Sequence, residues 1–260
     1  MTTRTPLTAE TSVWRALRVV EVVAEVGDGV TPKAIARRLN FTLPTTYRLL
    51  ATLVDEGYLV RLPEPRGYGL GYRIGELARR LVDQVTVPAS VRGILHDVHR
   101  VAEGAAYYLV FRGADVVVAH LDECPAHPAP AALRVGEPVA AHATAAGKVL
   151  LAALDRRRLT ALVADPLPPL TSRTVVDRAE LYGELERVRE VGVAVELGEL
   201  QLGRAGVAAP VRGPDGVVTG ALGISVRGTD FALRRAGLER AVRDGANRAA
   251  CVLTERAAAG

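Results

Sequence analysis

Apolar residues recur at helical spacing three times in the first part of the chain, in SVWRALRVVEVVAEVGDG, TPKAIARRLN and FTLPTTYRLLATLVDEG. Ser12, Thr31 and Thr42 stand at the start of these runs and are candidate N-caps, and Asn40 suits the left-handed residue that ends the second helix. The next stretch, YLVRLPEPRGYGLGY, alternates around a Pro/Gly-rich turn, which is typical of a two-stranded hairpin. Residues 1–71 therefore predict three helices followed by a hairpin.

The pattern changes after residue 71. RIGELARRLVDQV has helical spacing and predicts a linker helix over residues 72–85. Beyond it, strand-like runs are interspersed with helical ones; the strand-like runs are AAYYLVF, DVVVAHL, VGVAVEL, RAGVAAPVR and GVVTGALGISV. Because strands and helices do not alternate regularly, residues 86–260 predict an α+β domain with a mostly antiparallel sheet and helices on one side of it.

The composition fits two globular domains, since the chain has 260 residues, 49% of them hydrophobic and 24% charged. No apolar run approaches the roughly 20 residues of a membrane span, and the first residues lack the apolar core of a signal peptide. The two cysteines, Cys124 and Cys251, are too few for a disulfide framework. The composition predicts a cytoplasmic protein without a membrane partner.

Basic charge is concentrated in the first segment: residues 33–73 contain seven Lys/Arg and three Asp/Glu, whereas residues 86–260 contain 21 and 20. This excess favours a polyanionic partner. Two short helices joined by a short turn and followed by a hairpin predict a winged helix-turn-helix that places its second helix in the major groove of double-stranded DNA. The candidate contacts to bases and phosphates are Thr42, Leu43, Thr45, Thr46, Tyr47, Arg48, Arg37, Arg38, Arg61 and Arg66.

The stretch AHATAAGKVLLAAL, residues 141–154, leaves several interpretations open. Gly147 and Lys148 lack the preceding glycines and the following Ser/Thr of a phosphate loop. Lys148 and His142 are the candidates for an enzyme, but no second carboxylate or base lies near them in sequence. Thr144 can cap a helix over Ala145–Leu154, whose free first-turn amides would form a seat for an organic acid. The alternative is an ordinary capped helix packed on the sheet.

A metal site is the other possibility that the sequence raises. His120, Cys124 and His127 lie within one short loop, and these side chains are common zinc ligands. Their spacing matches no standard zinc motif, and a solvated loop explains them equally well. We therefore expect no metal and no cofactor.

The first segment resembles the DNA-binding domain of IclR-family transcriptional regulators. The motifs that carry this resemblance are Arg15–Leu17, Ile35–Ala36, Thr45–Leu50, Gly57–Tyr58 and Tyr68–Gly71. The turn departs from the family pattern, because Asn40 and Thr42 stand where Gly and Pro are usual and Leu43 replaces a polar residue. The resemblance implies a homodimer or homotetramer that binds a DNA operator, acts as a repressor and is not an enzyme.

The second half extends the resemblance through VGEPVAAHATAAGKVLLAAL and GVAAPVRGPDGVVTGALGISV. It implies a GAF-like domain that binds a small-molecule effector, typically an organic acid. The implied effector contacts are Val139, Ala145, Ala146, Gly147, Glu196, Gly206, Gly223 and Ser225. Glu196 replaces a shorter Asp, Gly206 a common Cys and Gly223 a Ser, so a pocket roomier than that of relatives is expected.

Overall fold

A computed structural model describes residues 11–85 and 87–258. Residues 1–10, in which no leader segment is expected, lie outside the described residues. The chain divides into two compact units, Met1–Leu81 and Val82–Gly260. We call them the N-terminal and C-terminal units.

The N-terminal unit consists of three helices, a hairpin and the start of a fourth helix. The elements are α1 (Ser12–Val26), α2 (Pro32–Leu39), α3 (Leu43–Asp55), β1 (Leu59–Leu62), β2 (Gly67–Leu70) and α4 (Tyr72–Val85). The hydroxyls of Thr31 and Thr42 accept hydrogen bonds from the first-turn amides of α2 and α3, and Asn40 adopts the left-handed conformation with φ of 55°. These predictions are confirmed. The predicted cap Ser12 is wrong, because Thr11 accepts the bond from the Trp14 amide and Ser12 is already helical.

The hairpin is attached to the helices through its backbone. Tyr68 of β2 donates to the carbonyl of Val30 at 3.0 Å and accepts from the amide of Gly29 at 3.1 Å. The segment between α1 and α2 thus pairs with the hairpin in an antiparallel bridge. Apolar residues from all three helices form the core below, including the fully buried Val19, Ile35 and Leu50. The hairpin is therefore held as a wing against α1, α3 and the segment that precedes α2.

The C-terminal unit is a five-stranded sheet with five α-helices. The elements are α5 (Ala89–Ala102), β3 (Ala105–Arg112), β4 (Asp115–Asp122), a 3-10 helix (Ala141–Ala143), α6 (Ala145–Ala152), α7 (Arg156–Leu162), α8 (Arg178–Val191), β5 (Ala194–Leu197), β6 (Arg204–Arg212), β7 (Val218–Arg227) and α9 (Gly228–Ala258). The strand order is β4-β3-β7-β6-β5, and every neighbouring pair is antiparallel. The α+β architecture with an antiparallel sheet is as predicted.

Helices cover both faces of this sheet, not one as expected. Residues of α5 and α9 pack with Tyr108, Leu222 and neighbouring residues in one core cluster. Residues of α6 and α8 pack with Tyr107, Ala208 and others in a second cluster. The physical reason lies in the strands, since β7 is buried at seven consecutive positions and therefore has no solvent-facing side. The runs GALGISV and AAYYLV indicate burial on both faces, because strands of a sheet with one solvent-facing side would alternate between apolar and polar residues.

Among the described helices, none is both long and apolar enough to cross a membrane. Cys124 and Cys251 are both free thiols.

Candidate functional site

The N-terminal end of α3 presents four of its six predicted DNA contacts to solvent. Thr42, Leu43, Tyr47 and Arg48 are exposed, and Thr45 is half-buried, with its hydroxyl accepting from that of Thr42 at 2.9 Å. Leu49 and Leu50 face the opposite way into the core. The helix therefore separates a polar outer surface from an apolar inner one.

Thr46 is the exception, and the structure corrects its predicted role. Its side chain is fully buried, and its hydroxyl donates to the Thr42 carbonyl at 3.0 Å. The position is four residues before Leu50, so it lies on the buried stripe of the helix. A hydroxyl that is enclosed and already bonded has no access to a base edge.

The four predicted phosphate-binding arginines are all exposed. Arg61 and Arg66, from either side of the hairpin turn, line one surface depression of about 460 Å³ together with Leu62 and Pro63. Arg38 differs from the others, since its guanidinium contacts Glu25 at 2.7 Å. This ion pair neutralises part of its charge, so Arg37, Arg61 and Arg66 are the better-placed positive charges of the unit.

In the C-terminal unit, strand register brings the predicted effector residues together. Glu196 lies directly opposite Gly206, and Gly206 lies opposite Ser225. In the next row, Tyr107 lies opposite Gly223. Because alternate residues share one face of a strand, all five stand on the face that α6 covers, which we call the α6 face. Tyr107 was not among the predicted residues, since nothing in the sequence indicates its cross-strand partner.

The expectation of a roomier pocket is wrong. A Cβ atom at Gly223 would lie 2.5 Å from Cζ of Tyr107, and one at Gly206 would lie 3.0 Å from Oε1 of Glu196. Each glycine is thus covered by the larger side chain directly opposite it. The small residues leave no empty space because their cross-strand neighbours fill it.

The first-turn amides of α6 are also less available than expected. The amide of Gly147 donates to Oγ1 of Thr144 at 3.1 Å, which is the N-cap bond. The backbone of Ala146 interacts with the hydroxyl of Tyr107 and lowers its pKa, although burial raises that pKa more strongly. Ala145 and Ala146 are completely buried, and Val139 packs against the same core cluster. The predicted seat of backbone donors is closed by the protein's own side chains.

Glu196 is the most strongly perturbed acid of the α6 face. It is 3% exposed, and its Oε2 accepts a hydrogen bond from the amide of Glu199 at 2.9 Å. Burial, aided by the charge of Glu199, raises the pKa of Glu196 to about 7 against the opposing effects of the Glu199 and Leu200 amides and of Lys148. Near neutral pH this buried carboxyl therefore exchanges between its protonated and ionised forms.

Lys148 is a buried structural cation. Its side chain is 1% exposed, and Nζ contacts Oε1 of Glu199 at 2.5 Å and Oε2 of Glu184 at 2.7 Å. The two ion pairs join α6 to α8 and to the segment after β5. Both acids lie more than 30 residues further along the chain, which is why the sequence offered no partner for this lysine.

His142, the other residue of the enzyme alternative, is 6% exposed, and its Nε2 lies 3.0 Å from the carbonyl of Pro168. Burial lowers its pKa, and the charge of Lys148 lowers it further. The lysine is thus held by two carboxylates, and one ring nitrogen of the histidine is held by a carbonyl.

The three candidate zinc ligands occupy different environments. His120 lies on β4, where burial lowers its pKa, and the amide of His127 donates to the carbonyl of Cys124 at 2.9 Å in a turn. The His127 ring packs edge-on against His99, with 6.1 Å between ring centres. Over residues 11–85 and 87–258, no group of three or more His, Cys, Asp or Glu residues is placed to hold a metal ion.

Comparisons with known proteins match both units. Residues 79–250 match the model of the bacterial transcriptional regulator IclR C-terminal domain, and residues 12–63 match that of the IclR helix-turn-helix domain. An HTH-type transcriptional regulator of Mycobacterium tuberculosis is 32% identical over 204 residues, which are 76% of each chain.

Two solved structures share the fold. The crystal structure of Thermotoga maritima IclR matches with a TM-score of 0.75 and 21% identity, over 93% of this chain and 98% of that one. An IclR homologue from Microbacterium hydrocarbonoxydans, complexed with 4-hydroxybenzoate, matches with a TM-score of 0.71 and 22% identity, over 94% and 99% of the two chains.

Replacing Lys148 by methionine should destabilise the C-terminal unit. The change leaves Glu184 and Glu199 without their cation in a buried setting, which typically costs about 3–5 kcal/mol. Urea unfolding followed by far-ultraviolet circular dichroism measures the loss. Lys33→Met is the matched control, because Lys33 is the other lysine of the chain and is exposed, and it should leave the free energy of unfolding unchanged. Wild-type stability in Lys148→Met would contradict the structural role.

Glu196 should make the stability of the protein decrease with rising pH. Its pKa is about 7 in the fold against 4.5 for the free side chain, so the folded state binds the extra proton between these values. The protonated Glu196 therefore makes its full contribution to the free energy of unfolding below about pH 4.5. This contribution, up to about 3 kcal/mol, is lost as the pH rises through about 7.

Urea midpoints of wild type and Glu196→Gln between pH 5 and pH 8 measure this dependence. The glutamine variant should show a flatter profile and be the more stable protein at pH 8. Parallel profiles for the two proteins would mean that Glu196 titrates normally.

Proposed function

Because the chain belongs to the IclR family of bacterial transcriptional regulators, we propose that it binds operator DNA through α3 and the wing and represses transcription. We further propose that a small organic acid bound in the C-terminal unit modulates this binding. The protein would act in the cytoplasm, where operator and metabolite are both available.

The exposed arginine near the start of α3 is the observation that best supports the DNA-binding mode. Arg48 projects from the solvent side of the helix next to Tyr47, and it forms no ion pair within the described part of the chain. A recognition helix reads bases from its N-terminal turns, where arginine can donate two hydrogen bonds to guanine. Thr42, Leu43 and Thr45 would lie alongside in the groove.

The wing would hold the phosphate backbone. Arg61 and Arg66 face one surface depression at the hairpin turn, and Arg37 is exposed on α2. Contacts of this kind contribute affinity without sequence preference and are sensitive to salt. Arg38 would contribute less, because Glu25 competes for its guanidinium.

We propose a homodimer, or a homotetramer built from dimers, with α4 as a contact between subunits. Ile74, Leu77 and Leu81 lie at helical spacing on this helix, where Leu77 is 49% exposed and the other two are half-buried. A second copy would bury these side chains and supply the second recognition helix that a palindromic operator requires. Light scattering at micromolar concentration tests the proposal, and a monomer that still binds its operator tightly would exclude it.

The effector would bind on the α6 face, where the predicted residues meet. The relative crystallised with 4-hydroxybenzoate supports an organic acid as the class of ligand. Since Ala145, Ala146, Glu196 and Ser225 are all buried, an effector of that size must displace Glu196 or Tyr107. Binding would thus require local rearrangement of this face, which is the kind of change that can alter a distant equilibrium.

Arg48→Ala should weaken operator binding by about 1–3 kcal/mol if the side chain reads a base. Arg61→Ala and Arg66→Ala should instead weaken binding to all DNA sequences alike. Each should reduce the slope of log affinity against log salt concentration by about one unit, since one phosphate contact is lost. Titrations of fluorescent operator and unrelated duplexes over a range of salt concentrations separate the two effects.

Arg157→Ala, at an exposed arginine of the C-terminal unit, is the matched control. Unchanged operator affinity in Arg48→Ala would exclude α3 as the recognition helix.

A further inference from the structure

A cavity of about 120 Å³ opens at the end of the α6 face. Its walls include Gly104, His127, Arg204, Ser225, Arg227 and Asp230. The volume is several times the roughly 15 Å³ that one water molecule needs. It differs in this respect from the space around Gly206 and Gly223, which side chains fill.

Arg204 contributes a positive charge that forms no ion pair among the described residues. One Nη atom donates to the carbonyl of Pro128 at 2.5 Å and, more weakly, to that of Ser225 at 3.4 Å. The Nε atom is buried and has no hydrogen-bond partner among the described residues. Burial lowers the pKa of this arginine and the charge of Arg227 adds to the effect, while the charges of Glu196 and Asp230 oppose it. No carboxylate of the described chain forms an ion pair with it.

The hydroxyl of Ser225 is also buried without a hydrogen-bond partner. Its side chain is 2% exposed, and within residues 11–85 and 87–258 its Oγ has no partner. Ser225 pairs with Gly206, two residues along β6 from Arg204, so the two side chains are diagonal neighbours on one face. Buried polar atoms are nearly always hydrogen-bonded. Two unpartnered polar atoms on residues that line the same cavity therefore indicate a place for a ligand.

The chemistry of these atoms selects an anion. Nε of arginine is a donor only, and the serine hydroxyl can donate as well, so the complementary group is an acceptor with negative charge. Of the acids that line the cavity, Glu103 is paired with Arg234 at 3.1 Å, and Asp230 interacts with Arg204 without forming an ion pair. Arg204 therefore brings to the cavity a positive charge whose Nε has no hydrogen-bond partner among the described residues.

The opposite end of the α6 face excludes the same anion. Glu196 is an acid, and the amides of Ala146 and Gly147 already interact with Tyr107 and Thr144. A carboxylate placed there would be repelled by Glu196 and would have to compete for its donors.

We propose that the carboxylate of a small organic acid binds in this cavity, accepting hydrogen bonds from Nε of Arg204 and Oγ of Ser225. The rest of the ligand extends over Gly206 toward Glu196, where a hydroxyl or other polar group can bond to the carboxyl. The inference rests on the proposed effector function and sets the orientation of the effector within that site. Arg204 is thereby a determinant of specificity for acids.

Binding of defined acids to the full-length protein tests this assignment. Acetate, lactate, benzoate and 4-hydroxybenzoate are titrated calorimetrically, each beside its uncharged amide, and inorganic phosphate is included as a second oxyanion. At least one acid should bind, and its amide should bind roughly tenfold or more weakly, because a charge-assisted bond is lost.

Two variants locate the carboxylate. Arg204→Met should weaken acid binding by roughly tenfold or more, while Arg204→Lys retains the charge and should lose less. Ser225→Ala should weaken it several-fold yet leave the unliganded protein as stable as wild type or more so, since the hydroxyl has no partner to lose. Arg212→Met, at the exposed far end of β6, is the matched control and should bind normally.

The outcomes separate the inference from the function on which it rests. An acid that binds Arg204→Met and Ser225→Ala with wild-type affinity would overturn the orientation, although effector regulation would stand. Binding of phosphate alone, or of amides as tightly as acids, would also overturn it. If no acid binds wild type, the inference fails. The effector function itself fails only if no small molecule changes the affinity of the wild-type protein for its operator.

Discussion

The five-stranded sheet of the C-terminal unit is buried on both faces, and this constraint governs every polar side chain on it. A buried charge or hydroxyl must find a partner inside the protein or remain at a cost. Lys148 finds two carboxylates, and Glu196 finds the amide of Glu199. Arg204 and Ser225 retain buried atoms without partners in the described chain. Of these groups, Arg204 and Ser225 also line a cavity, which is what distinguishes them as candidates for contact with a ligand.

Charge has a second use in the C-terminal unit. The N-terminal unit keeps Arg37, Arg48, Arg61 and Arg66 exposed, where they are available to a polyanion. The C-terminal unit has exposed arginines too, but it also encloses Lys148 and Glu199 and pairs them across elements. A ligand that moves Glu196 acts on the hydrogen bond to Glu199, and therefore on a segment that Lys148 ties to α6 and α8. Because these groups share hydrogen-bond and ion-pair partners, a change in the position or charge of one alters the contacts of the others.

Local chemistry made much of the N-terminal unit predictable. Thr31 and Thr42 cap helices with their own hydroxyls, Asn40 takes the left-handed conformation, and a Pro/Gly-rich turn closes the hairpin. Each of these features depends on residues within a few positions of one another. The prediction that Thr46 contacts DNA was wrong, because Thr46 is buried. Its burial depends on how α3 packs against the other helices, which the neighbouring residues do not show.

The sequence by itself determined the order of the main helices and strands, the polar start of α3 and the surplus of arginine in the first unit. Only the tertiary structure decided that Tyr107 covers Gly223 and that Glu196 covers Gly206, so that the expected open pocket is closed. It also decided that Lys148 is an internal ion pair and that Arg204 borders a cavity. The physical reason is strand register, which places residues from distant parts of the chain side by side and leaves no mark on the residues between them.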